Sequence, residues 1–117
     1  MAVNLYSLFV LDKDFKNLTI VAKKIFENDK NNPLSNFKLA YALEVNGNLT
    51  KSIQLYKSAI ANGFKDKKMI YNNLGNIYLQ LDKIEKSIEF YSLSLNEDQN
   101  NKITINGFGK IKIQENF

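Results

Sequence analysis

The chain has 117 residues, 44% of them hydrophobic, with a single Pro, 5 Gly and a net charge of +4. That is one domain's worth of chain, apolar enough for a core and too poor in Pro and Gly for a disordered linker. It holds no Cys and no His, and all 16 basic residues are Lys, which removes disulfides, thiolate chemistry, the usual general base, soft metal ligands and the forked anion grip of Arg.

In chain order, a first helix is predicted over about 2–11. Its apolar stretch, Leu8 to Leu11, is too short to span a membrane, and no basic region precedes it as a signal peptide requires. Asp14 is a natural cap for a second helix over about 15–28, and Pro33 introduces a third over about 34–46. Asn48 can cap a fourth helix, about 49–62, which Gly63 can close in the left-handed conformation. Asp66 starts a fifth over about 67–81. Asp82-Lys83-Ile84-Glu85 reads as a capping box opening a sixth over about 84–97.

The end of the chain reads two ways. The alternation in Ile103-Thr104-Ile105 and Lys110-Ile111-Lys112-Ile113, around Gly107-Phe108-Gly109, fits a two-stranded hairpin over 103–113. A short seventh helix over about 103–114 is preferred, because an isolated hairpin is marginal in water and the repeat register described next calls for a helix.

The chain repeats itself. Leu39 and Leu74, Ser52 and Ser87, and Tyr56 and Tyr91 each stand 35 residues apart. A fixed period of this size predicts stacked helical hairpins, each burying its apolar face against its neighbours. A weaker copy lies upstream: an offset of 34 from Leu39, Ala40, Leu43, Leu49 and Ile60 lands on Leu5, Tyr6, Phe9, Phe15 and Phe26. Small residues that let paired helices approach, Ala40/Gly75, Ser52/Ser87 and Ala59/Ser94, are replaced there by Tyr6, Leu18 and Ile25, so the first hairpin is expected to be more widely spaced. The same offset carries Leu74-Gly75 onto Phe108-Gly109 and begins a fourth copy.

The run Asn73-Leu74-Gly75-Asn76-Ile77-Tyr78, then a polar turn and Ser87-Ile88-Glu89-Phe90-Tyr91, resembles the tetratricopeptide repeat, a helix–turn–helix unit of about 34 residues. Ser87 and Ser94 stand where that family prefers Ala, and Gln99 where it prefers Pro, while Pro33 falls where the family's Pro separates units. The resemblance implies an all-α fold: a right-handed α-solenoid of about three repeats plus one additional C-terminal helix, a half repeat. The expected organisation is a single domain, 1–117, with repeats at about 1–32, 33–67 and 68–101 and a partial fourth over 102–117.

No pair or triad recognisable as catalytic occurs, no phosphate-binding loop is present, and the scattered lysines read as solvated helix faces rather than a nucleic-acid surface. No catalytic residue, metal or cofactor is therefore expected, nor a nucleic-acid or membrane partner, and a cytoplasmic location is expected. The resemblance implies that the first helix of each repeat lines a concave groove receiving a peptide or helical segment of a partner protein. Carried over residue by residue, the groove holds Val3, Ser7 and Val10, then Phe37, Tyr41 and Glu44, then Asn72, Asn76, Leu79 and Gln80. Phe37, Tyr41 and Glu44 share a helix face distinct from the stripe Leu39, Ala42 and Leu43. Packing between neighbouring helices is the competing reading of the two aromatics, and ordinary exposure that of the two amides.

The lysine- and arginine-based clamp with which some relatives grip acidic tails is missing, since its places hold Val3, Ser7, Lys38, Met69 and Asn73. A neutral or apolar segment is the better fit. The alternative function is self-assembly, a homodimer formed through Ile105, Phe108 and Ile111 of the C-terminal half repeat, or a role as a fragment of a larger multidomain protein.

Overall fold

The computed structural model describes residues 4–97 and 107–111. Six helices run in order: α1 (Leu5–Leu11), α2 (Phe15–Asn28), α3 (Pro33–Val45), α4 (Leu49–Ala61), α5 (Lys67–Gln80) and α6 (Ile84–Glu97). Residues 107–111 are also helical, across the glycines where a hairpin would have placed its turn. The rest of the 103–113 segment lies outside the described residues. Among the described residues the fold is all-α, with α1 to α4 packed in succession and α5 packed on α6, as in a helical repeat.

Caps set the boundaries. Helix α1 starts at Leu5 rather than residue 2, because Asn4 is extended and its side chain accepts from the Ser7 N–H. Asp14 caps α2 through the Asn17 N–H. Asn32 caps α3 through Leu34 and Ser35, and Pro33 occupies the first turn, where its missing donor costs nothing. Asn48 and Asp66 hold the cap positions of α4 and α5 without a side-chain cap bond.

The hairpin turns repeat one motif. Lys13 (φ 54°), Gly47 (φ 83°) and Asp82 (φ 60°) are left-handed and stand 34 and 35 residues apart. After each, the next N–H reaches back to close the preceding helix: Asp14 to the Phe9 carbonyl at 3.0 Å, Asn48 to Leu43 at 2.9 Å, Lys83 to Tyr78 at 2.8 Å. This is the Schellman closure, and Gly63 (φ 97°) with Phe64 repeats it after α4. The capping box expected at Asp82–Glu85 does not form. Asp82 is consumed by the turn, and Lys83 immediately precedes α6.

The chain divides into two compact units, Met1–Phe64 and Lys65–Phe117. In the first, Tyr6, Leu18, Ala22, Leu39, Ala42 and Leu43 form a buried cluster. Tyr6, standing where the later copies have a small residue, sends its hydroxyl to the Lys38 carbonyl at 3.3 Å, while the Lys38 ammonium lies 5.1 Å above its ring. Burial, assisted by nearby Tyr41, raises the Tyr6 phenol well above its ordinary value. In the second unit Ile70, Leu74, Ile77, Tyr78, Phe90, Tyr91 and Ile111 are buried.

Three serines join paired helices. Ser52 Oγ donates to the Ala40 carbonyl at 2.7 Å and Ser87 Oγ to the Gly75 carbonyl at 2.8 Å. In the second unit Ser94 Oγ also donates to the Lys68 carbonyl at 2.9 Å. Since 75 meets 87 while 68 meets 94, α5 and α6 run antiparallel.

Candidate partner-binding faces

On α3 the expected stripe is held from below. Phe37 stacks on Phe64, centroids 4.8 Å apart and planes 11° from parallel, and meets Tyr56 edge-on at 5.7 Å. Tyr41 is half-buried against the first unit's core. Glu44, also half-buried, accepts from the Tyr56 hydroxyl at 2.6 Å. Burial pushes the Glu44 carboxyl above the ordinary carboxylate value, and the Tyr56 bond offsets part of that shift. Phe37 and Glu44 therefore serve hairpin packing while keeping one side uncovered, so the two readings of Phe37 are compatible.

On α5 the four expected residues divide. Asn72 is buried at 5% exposure, Asn76 and Leu79 are half-buried, and Gln80 is exposed. Asn76 Oδ1 accepts from the Tyr91 hydroxyl. The amide is thereby tied to α6, and burial raises the Tyr91 phenol above its ordinary value, with a bond to Ser87 opposing the shift. On α1, Ser7 is exposed and Val10 half-buried against the core, while Val3 lies outside the described residues.

At the C-terminal end, Ile111 is buried and Phe108 meets Tyr91 edge-on at 5.5 Å, so both side chains act within the second unit. Ile105 lies outside the described residues. The offset of 34 aligned Gly109 with Gly75, yet a Cβ on Gly109 would meet open space, whereas one on Gly107 would lie 2.5 Å from Tyr91 Cζ.

One polar link was not visible in the sequence. Asn36, 1% exposed, donates from Nδ2 to the Lys30 carbonyl at 2.9 Å and accepts from Asn62 Nδ2 at 2.8 Å. It fastens the turn before α3 to the end of α4. In a chain this rich in Asn nothing distinguishes these two amides, and only the antiparallel pairing of α3 with α4 brings them together.

Among the described residues, no group of three or more acidic side chains could hold a metal ion, and no helix is long and apolar enough to cross a membrane. No curated protein matches the chain. Residues 70–101, which cover α5's core-forming stretch and all of α6, match the family model of the tetratricopeptide repeat. Repeats of this kind are in general protein-interaction modules without catalytic activity. Residues 70–101 are thus a tetratricopeptide repeat, and the same serine-to-carbonyl bond and left-handed turn recur one period earlier in the chain.

Proposed function

We propose that the chain is a scaffold-type interaction module whose first helices receive a peptide or helical segment of another protein. The observation that carries this reading is the α3 stripe. Phe37, Tyr41 and Glu44 are each half-buried, with Phe37 and Glu44 fixed by ring stacking and by the Tyr56 hydroxyl. A recognition surface ordered before binding loses less side-chain entropy on association. The exposed Ser7 and Gln80, and the uncovered parts of Val10, Asn76 and Leu79, extend the first-helix faces of their own units.

The test begins with a displayed peptide library selected against the protein. For the tightest peptide, Tyr41→Ala is expected to weaken binding about tenfold if it seats on the first unit, or Leu79→Ala if it seats on the second, the loss of one well-seated contact. Both variants should retain the parent's helical circular dichroism. Unchanged affinity in both folded variants would contradict the proposal.

A further inference from the structure

Within the first unit a second surface lies away from the stripe on α3. A cleft of about 330 Å³ opens between α2 and α4, with Phe26, Leu39, Leu43 and Leu55 among its lining. Leu39 and Leu43 belong to the unit's core, and Phe26 and Leu55 pack against it. The cleft is thus a place where the core reaches the surface. Its volume is at the lower end of the range for ligand clefts, about 300–1,000 Å³.

The rim is specific in charge. Lys23 comes from α2 and Lys51 from α4, one from each wall, and both are exposed. Asn48, Gln54 and Ser58 complete the polar lining, and no carboxylate contributes to it. On α4, Lys51, Leu55 and Ser58 recur at helical spacing and so share one face. On α2, Lys23 and Phe26 do the same.

We propose that this cleft is a second docking surface, and that it takes a protein segment bearing one large apolar side chain with carboxylates on both sides. The apolar floor removes the anchor side chain from water, and the two lysines meet carboxylates to either side. The amides of Asn48 and Gln54 can bond the segment's backbone, and the Ser58 hydroxyl, which donates to the Gln54 carbonyl at 3.0 Å, can accept from it. A single-headed anionic amphiphile satisfies one wall only, whereas a peptide with flanking acids satisfies both. This surface shares no residue with the proposed first-helix faces, so it stands or falls separately from them.

The probe is a blocked synthetic peptide, Ala-Glu-Glu-Phe-Glu-Glu-Ala, titrated into the isotopically labelled 117-residue chain. Nuclear magnetic resonance signals of Phe26, Leu39, Leu43, Leu55 and Ser58 are expected to move, and binding to weaken as salt is raised. The double variant Lys23→Glu, Lys51→Glu should keep the parent's circular dichroism and lose affinity about tenfold or more. Peptides with Gln for every Glu, or with Ser for Phe, should bind at least about tenfold more weakly. Four results would overturn the proposal: shifts confined to α1, α3 and α5 surface signals, equal binding by the double variant, equal binding by either control peptide, or the same shifts produced by raising protein concentration alone, which would seat a second copy in the cleft.

Discussion

The Ser87 hydroxyl donates to the Gly75 carbonyl at 2.8 Å, and 35 residues earlier Ser52 makes the same bond to Ala40 at 2.7 Å. Both serines are fully buried, so each bond lies out of competition with water. Ser52→Ala and Ser87→Ala are therefore expected to cost about 0.5–1.5 kcal/mol each, the usual net value of such a bond. Denaturant midpoints check this, and a difference well outside that range between the two would show that the hairpins are not built alike.

Gly75 is small for a second reason. A Cβ there would lie 2.5 Å from Cδ1 and Cε1 of Tyr91, whose ring is fully buried and faces Gly107 as well. Replacing a mid-helix Gly by Ala ordinarily stabilises by about 1 kcal/mol. At Gly75 overpacking reverses the sign, and Gly75→Ala should destabilise by about 1–3 kcal/mol. Gly109→Ala, with open space around its Cβ, should instead leave the melting temperature unchanged or raise it. A stabilised Gly75→Ala protein would remove the tight contact from the account.

Phe37 and Phe64 should be energetically coupled. Their stacked rings predict an interaction term of about 0.5–1.5 kcal/mol in a double-mutant cycle of Phe37→Ala and Phe64→Ala. A term near zero would mean that Phe37 is free to serve a partner alone.

Glu44 gives a pH signature. Its carboxyl is raised in the folded state, chiefly by burial, so the folded protein holds that proton more tightly than the unfolded chain. The favourable contribution of protonated Glu44 is complete below the unfolded value, about 4.3, and is lost as pH rises through the folded value. Glu44→Gln keeps an acceptor for the Tyr56 hydroxyl and carries no charge to bury. The variant is expected to melt higher than the parent at neutral pH, with the difference vanishing once the pH falls below about 4. A difference that persists or grows in acid would contradict the assigned cause.

Most of the fold was legible because the period of 35 appears in residues that tie paired helices together, Ser52 and Ser87 through backbone carbonyls and Tyr56 and Tyr91 through side chains of the facing helix. Asp14, Asn48 and Asp66 also stand at the helix starts that their side chains suggest. Asp82 misled because an acid followed by Glu three residues later looks like a cap, while the Schellman turn requires a left-handed residue at that point. The faces were harder to read. Helical spacing puts Asn72 and Asn76 on one side of α5, but it does not reveal that Asn72 is buried or that Tyr91 binds Asn76. The cleft between α2 and α4 could not be read from the spacing within any one helix, since its residues come from three helices.

The central claim is that the first helices are the interaction surface of the chain. The most direct test is a residue-by-residue nuclear magnetic resonance map of the protein with its tightest selected peptide. The account predicts that the largest shifts fall on the first-helix faces: Ser7, Val10, Tyr41 and Glu44 in the first unit, or Asn76, Leu79 and Gln80 in the second. Shifts confined to α2, α4 and α6, with those residues unmoved, would contradict it.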